Sequence, residues 1–565
     1  MIYRKPKRTF EKSGSVNPES SYYVPLENVT NADKQDLKTM IDMGRYFSIF
    51  APRQSGKTTF LKRICHQLHA DPTYVAVILC FEDYKSLDKT EFYSEIEVDL
   101  YDQLLERLRE VGCQKIEAVE RFFESHRLKN HISFRRLFEK LNRIIQLKKI
   151  VIFIDEFDGI PFSELENFLT SLRKLYIKYK DVKQKALYSI GLVGIRNITK
   201  LIVGGVSPFN IADQVDLPFF SLKMIRDLYG QYTEETNQPF NAEAVKKIHE
   251  ETGGQPWLVN RLGTILIMDI KPVAIEPIDE RDVEKAIQIL LTERNNHFDN
   301  LYEKAKIYKE MFVEIVFDNV QYNPDDEDQT WLEQYGLIKH KDDHAVVSNN
   351  IYKLRYIKTF FKEVNAGEEI SPQEYTLPGN KLDMERILLD FDQYIAQIGV
   401  RAFYQTRKAP LTDYDVGIGK NHKEGESLYR KNKISQGMSK ERKPYEKTGQ
   451  FLLTAWLYRF VKGGAGELRY EVLSGLGRMD IILNYKGRRY IIETKVNHQD
   501  DITRILGQGI TQVAQKYLAT EFAHEGYLVI FDTKTHAGAV CKPGYHREED
   551  KTVTSFIIGI GYREK

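Results

Sequence analysis

Residues Ala51 to Thr58 read APRQSGKT, set between the apolar run YFSIF and the helical pattern TFLKRICHQL. A strand, a small-residue loop closing on Gly-Lys-Thr and then a helix is the context in which backbone N–H groups and a helix N-terminus cradle phosphates. In that P-loop frame Arg53, Gln54, Ser55, Gly56, Lys57, Thr58 and Thr59 wrap a nucleotide. Lys57 then reaches the β- and γ-phosphates and Thr58 a Mg2+ ion. Ala51 stands where the usual motif has its first glycine. Further on, the apolar run Lys149-Ile-Val-Ile-Phe-Ile ends in Asp155 and Glu156. A carboxylate at that place, Asp155, can hold the Mg2+ shell, and Glu156 can orient and deprotonate an attacking water. A buried strand ending in two acids is common by itself; joined to the first motif, it points to nucleotide binding. Arg196, after SIGLVGI, reads equally as a γ-phosphate sensor or a solvated strand-end charge. Arg173 reads as a surface charge, with a finger for a neighbouring subunit as the alternative.

A second constellation lies near the end of the chain. Gly477-Arg478-Met479-Asp480 opens one strand and Tyr490-Ile-Ile-Glu493-Thr494-Lys495 closes the next, with NYKGRR as the hairpin. Strand alternation puts Glu493 and Lys495 on one face, and Asp480 sits where the hairpin can bring it alongside. Two carboxylates on Mg2+ or Mn2+ beside a lysine that steadies a water suit phosphodiester hydrolysis. A surface hairpin of alternating charges is the plain alternative for an E-x-K alone; the placement of Asp480 weighs against it.

The elements that must position these residues follow from periodicity. From Tyr46 to about Ile211 the runs RYFSIFAP, TYVAVILCF, KKIVIFID, YSIGLVGI and KLIVGGV alternate with helical patterns, which predicts a parallel sheet covered on both faces. Ser221 to about Glu293 is helical, with GGQPW as an internal turn. TWLEQYGLIKHKDDHAVVSNNIY reads as helix, strand, turn, strand, the pattern of a winged helix, and a helix follows over about Leu382 to Ile398. The basic stretch from about Arg407 to Lys443 is poor in apolar residues and reads as a linker; a phosphate-tracking loop is its functional alternative. From Pro444 the pattern is again α/β: a helix (QFLLTAWLYRFV), two strands, a helix (ITQVAQKYLATEF) and the strands GYLVIFD and TSFIIGIGY.

At 565 residues the chain has room for several domains of ~150 residues each. Lys plus Arg number 82 against 81 Asp plus Glu, so net charge selects no partner, and a nucleic-acid surface must be a local patch. Cys65, Cys80, Cys113 and Cys541 are far apart, which argues against a disulfide framework or zinc site and fits a reducing compartment. With no secretory signal and no long apolar run, the expectation is a cytoplasmic protein outside the membrane.

GSVNPESSYYV, APRQSGKTTFL, FIDEFDGI, LVGIRN, SPFNI, QYTEETNQPF and GGQPWLVNRL follow in an order that resembles the AAA-like ATPase domain of prokaryotic proteins in the AAA+/STAND neighbourhood, over about residues 10 to 360. The resemblance implies an ATPase with a helical lid. GRMDI, IIETK, TQVAQKY and GYLVIFD are similar to the PD-(D/E)XK nuclease superfamily, over about residues 444 to 563. That resemblance implies catalytic roles for Asp480, Glu493, Lys495 and Gln512 and a further metal-ligating acid on the preceding helix. Glu446 fits that place, with Glu467 and Glu471 as alternatives. The spacing from Gln512 to Tyr517 is one residue longer than the resemblance implies.

The expected architecture is therefore α/β and multi-domain. It comprises an N-terminal extension (1–45), a P-loop NTPase core (46–215), a helical lid (216–299), a winged-helix-like segment (300–365), a helical and basic linker (366–443) and a PD-(D/E)XK restriction-endonuclease-like domain (444–565). The expected function is an ATP-controlled, Mg2+-dependent nuclease acting on DNA, in prokaryotic defence or mobile-element control. A homo-oligomer through the ATPase domain accompanies that expectation. The alternatives are a nucleotide-dependent switch or scaffold whose nuclease-like domain only binds, and a motor that remodels nucleoprotein.

Overall fold

A computed structural model describes residues 3–146, 148–180, 186–195, 210–273, 275–317, 320–356, 372–398, 446–461, 466–474, 477–497, 501–518, 523, 525–548 and 551–561. Two compact units emerge: Met1–Ile315 with Asn319–Leu354, and Val316–Asp318 with Arg355–Lys565.

The first unit is built on a five-stranded parallel sheet. Its strands are β1 (Phe47–Phe50), β2 (Tyr74–Cys80), β3 (Lys149–Asp155), β4 (Ser189–Gly194) and β5 (Asp213–Gln214), in the order β2-β3-β4-β1-β5. In β3 every residue from Ile150 to Asp155 is buried. Such a run has apolar partners on both faces of the sheet, as a parallel sheet flanked by helices requires. One face packs on Phe92, Ile96, Phe134 and Phe168; the other packs on Phe60, Leu61 and Ile64 of the helix Lys57–His69. The first four strands fall where the apolar runs predict. The predicted strand KLIVGGV lies outside the described residues, and the fifth strand is Asp213–Gln214, parallel to β1.

The helices Leu222–Thr236, Ala242–Thr252, Pro256–Ile265 and Glu280–Thr292 follow. The GGQPW turn sits between the second and third of these helices. There Gly254 has φ +75°, and a Cβ on it would lie 2.0 Å from the Phe220 carbonyl oxygen, so only glycine fits. Near the end of the unit stand β6 (Val320–Gln321), the helix Glu327–Gln334, β7 (Ile338–Lys341) and β8 (His344–Val347), in a small antiparallel sheet ordered β6-β8-β7.

In the second unit a short hairpin, β9 (Thr376–Leu377) with β10 (Lys381–Leu382), precedes the helices Met384–Ile398 and Glu446–Val461. A six-stranded sheet then runs β11-β12-β13-β14-β16-β15. These strands are β11 (Gly466–Ser474), β12 (Gly477–Tyr485), β13 (Arg488–Asn497), β14 (Glu525–His536), β15 (Gly544–Glu548) and β16 (Lys551–Gly561). β11 to β13 are antiparallel, β13, β14 and β16 are parallel, and β15 returns antiparallel to β16. The helix Glu446–Val461 takes one face, where Gly449 lies against Phe531. The helix Ile502–Thr511, continued as a π-helical turn over Gln512–Leu518, takes the other, where Gly509 lies against Leu528.

This last helix begins eight residues before the predicted start at Ile510. Gly507 and Gly509 depress helix propensity and hid the first two turns. At Gly509 tertiary packing decides, because a Cβ there would lie 2.7 Å from the Leu528 methyl groups. β11 and β15 were absent from the sequence reading. Both are edge strands; β15 (GYHRE) has little apolar content to signal a strand, whereas β11 alternates Leu468, Tyr470 and Val472. Among the described residues, no helix is long and apolar enough to cross a membrane. All four cysteines are free.

Candidate functional site

The nucleotide loop is shaped by its backbone. Gln54 has φ +58° and Gly56 φ +91°, and the helix from Lys57 starts directly behind them. Successive N–H groups held in such alternating conformations form an anion-binding concavity. Ser55 is fully buried, and among the described residues its Oγ has no hydrogen-bond partner, nor has Gln54 Oε1. A buried hydroxyl without a partner is costly, and a phosphate oxygen would satisfy it. Ala51 in place of the first glycine is compatible with this loop: it is buried, and its N–H donates to the Gly194 carbonyl at 3.1 Å.

Lys57 is 5% exposed, and its ammonium donates to the carbonyls of Ala51 (3.0 Å) and Pro52 (2.9 Å). Burial pulls its pKa below the usual lysine range, opposed by Glu156, Asp155 and Asp158. Thr58 donates its hydroxyl to Asp155 Oδ2 at 2.6 Å, so the two residues expected to share Mg2+ are in contact. Oxygen donors of this kind, one hydroxyl and one carboxylate, fit Mg2+, which keeps several waters and binds through few protein ligands. Glu156 is in the left-handed region (φ +48°), uncommon for a non-glycine residue. Burial raises its carboxyl above the usual range, against the lowering effect of Lys57. Arg53 is exposed at the loop's outer edge. Thr59 turns away from the loop's concavity: its Oγ1 accepts the Val16 N–H at 3.0 Å. Arg196 lies outside the described residues. Arg173 is half-buried on the helix Phe162–Tyr179.

Two residues here escaped the sequence reading. Asp158 accepts the Ile195 N–H through Oδ2 and so ties the acidic strand end to the end of β4. Gln255 caps the helix Pro256–Ile265 by accepting the Leu258 N–H at 2.6 Å, while its Nε2 donates to the Gln54 carbonyl at 3.3 Å. GGQPW thereby touches the nucleotide loop.

In the second unit β12 and β13 bring three sequence-predicted residues together. The paired register ends at Ile481↔Ile492, with Asp480 next along β12 and Glu493 next along β13; Glu493 faces Gln512, and both carboxylates act electrostatically on Tyr517 in the same turn. Asp480 Oδ2 accepts both the N–H and the hydroxyl of Thr494, each at 2.7 Å. Glu493 is 1% exposed, and its Oε1 accepts from Lys495 Nζ at 2.7 Å and from Gln512 Nε2 at 2.6 Å. Gln512 also donates to the Tyr517 hydroxyl. The longer Gln512–Tyr517 spacing is absorbed by the π-helical turn, whose wider pitch pairs residues five apart. Glu446 opens the helix on the opposite face, and its side chain lies outside the described residues, as do those of Glu467 and Glu471. One turn on, Gln450 Nε2 reaches the Asp480 carbonyl at 3.5 Å. Among the described residues no three His, Cys, Asp or Glu gather as a metal cluster. The available set is two carboxylates, a number that suits Mg2+ completed by water and phosphate oxygens.

In comparison with solved structures, the chain is similar to a Walker-type ATPase of Pyrococcus abyssi, with 12% identity, a TM-score of 0.39, and coverage of 58% of this chain and 98% of that one. It is also similar to the RuvB Holliday junction branch migration motor of Thermotoga maritima, with 15% identity, a TM-score of 0.30, and coverage of 56% and 90%. Among curated proteins, an uncharacterized WD repeat-containing protein of Synechocystis is 28% identical over 250 residues. That match takes in 42% of this chain and spans 20% of the length of that relative. The model of the AAA-like domain family matches residues 11–359, which contain the P-loop, the acidic strand end and the GGQPW turn. With more than half of its length matched and that site in place, the chain belongs to the AAA-like domain family.

Proposed function

We propose that the chain binds and hydrolyses ATP in its first unit and cuts DNA with a Mg2+-dependent site in its second, the first controlling the second. The observation that carries the nuclease half is the convergence of Asp480, Glu493, Lys495 and Gln512 on one sheet face. Glu493 is held there by two donors, Lys495 and Gln512. Mg2+ bound there, or Mn2+ in its place, supplies Lewis-acid polarisation of a phosphodiester oxygen and a water of lowered pKa. Asp480 and Glu493 hold the cation, Lys495 steadies the attacking water, and Gln512 fixes Glu493.

For the ATPase half, Ser55, Lys57 and the loop N–H groups bind phosphates. Thr58 and Asp155 hold Mg2+, and Glu156 orients water. The helical segment with GGQPW acts as a lid, and the β6–β8 region as a winged-helix-like element. Assembly through the ATPase domain, a cytoplasmic location and a place in prokaryotic defence or mobile-element control complete the proposal.

The test is cleavage of supercoiled plasmid with Mg2+ or Mn2+, with and without ATP, by wild type, Lys57→Ala and Glu493→Ala. Cleavage absent from Glu493→Ala and altered in Lys57→Ala supports nucleotide-controlled cutting. A second reading is a nucleotide-dependent switch whose C-terminal domain binds without cutting. ATP hydrolysis and DNA binding without nicking of any substrate, RNA included, would select it.

A further inference from the structure

Beyond the residues used above, the same sheet face carries a polar pair at the carboxyl ends of β13 and β14. Glu493, Lys495 and Asn497 alternate along β13 and share one face, and the parallel register sets Asp532 beside Asn497. Asn497 is 1% exposed and Asp532 4%. Asn497 Nδ2 donates to Asp532 Oδ1 at 2.9 Å. Asp532 is held in turn by the hydroxyl of Thr535 on Oδ2 and the N–H of Lys534 on Oδ1, and Thr533 Oγ1 donates to the Asn497 carbonyl at 2.9 Å. A carboxylate only accepts, so it fixes which way the amide turns. Asn497 Oδ1 is left buried, and among the described residues it has no hydrogen-bond partner.

An oriented, buried acceptor without a donor is costly unless a donor reaches it in another state of the protein. Among the described residues, Lys495 is a cation within reach. Residues two apart on a strand are separated by ~7 Å, a span an extended lysine side chain covers. Lys495 now donates to Glu493 Oε1, an oxygen that a divalent cation would claim. Like charges repel most strongly where water is scarce, so the ammonium must then find another acceptor.

We propose that Asn497, oriented by Asp532, is a positioning residue that receives the Lys495 ammonium on Oδ1 when a divalent cation takes the Asp480–Glu493 carboxylates. The proposal rests on the metal-nuclease reading. Its experiment is calorimetric titration of the full chain with Mn2+, without nucleotide, counting only the binding that Glu493→Ala abolishes. Asn497→Ala should weaken that binding by about 10- to 100-fold, the worth of one hydrogen bond to a charged group. In the Lys495→Ala background the same substitution should have almost no effect, because the ammonium to be received is gone. Asp532→Asn, which frees the amide to turn, should weaken binding in the same Lys495-dependent way. Asn497→Ser, which keeps an acceptor, should bind more tightly than Asn497→Ala. Equal weakening in both backgrounds would mean a purely structural role and would overturn the proposal. If Asn497→Ala does not fold, Asp532→Asn and Asn497→Ser make the same comparison. A wild type without any Glu493-dependent Mn2+ binding would overturn the metal-nuclease reading itself, and this proposal with it.

Discussion

Lys57 illustrates how a single buried group sets a site's chemistry. Its ammonium is held by two carbonyls of its own loop and lies among Glu156, Asp155 and Asp158, so the loop keeps a cation that water does not solvate. Phosphate oxygens offer it a stronger, charge-assisted bond. Lys57→Ala is expected to weaken ATP binding by about 10- to 100-fold, the value of one or two such bonds, in a fluorescent-nucleotide titration. Asp392 carries the opposite burden. It is buried, its Oδ1 has no partner among the described residues, and burial pushes its carboxyl from 3.8 up to about 6. The folded chain therefore keeps this proton where the unfolded chain has released it. Its contribution to stability is full below the unfolded value and is lost as pH rises through about 6. Asp392→Asn should stabilise the second unit by about 2–3 kcal/mol at pH 7 and by less than ~1 kcal/mol at pH 4, read from denaturant melts at the two values.

Among the elements, the π-helical turn Gln512–Leu518 shows how local geometry rescues a side-chain pair from an unfavourable spacing. In an α-helix residues five apart lie on different sides, yet Gln512 donates to Tyr517 and Glu493 together. Tyr517→Phe removes one of these bonds. It should cost about 1 kcal/mol of stability and reduce cleavage several-fold, with ATP turnover unchanged, in paired melting and nicking assays. The GGQPW turn is more rigidly specified. Gly254→Ala must fit a methyl 2.0 Å from the Phe220 oxygen at φ +75°, and should destabilise the first unit by at least ~2 kcal/mol and weaken ATP binding through Gln255. Much of this was legible in the chain: the P-loop strand and helix, the acidic strand β3 and the β12–β13 hairpin follow from apolar runs bounded by turn residues. The start of the helix at Ile502 was not. Its glycines argue locally against a helix, and only the Leu528 side chain across the sheet explains them.

For the whole molecule, the two constellations belong to different compact units, so their chemistry should separate on mutation. Glu493→Ala is expected to abolish cleavage while leaving ATP hydrolysis within about twofold of wild type, because Glu493 belongs to a different compact unit from the P-loop. Loss of both activities in that variant would mark misfolding, checked by its melting curve. Local pattern in the chain fixed the P-loop, since it is a motif formed within one strand–loop–helix segment. It also placed Asp480, Glu493 and Lys495 near one another, because a hairpin with period-two alternation fixes their face. Tertiary structure alone decided that Thr59 serves the Val16 backbone and that Asp158 ties β3 to β4. It alone put Asp532 beside Asn497. Those pairings join segments distant in the chain, whose relative placement is set by the packed core rather than by any local pattern.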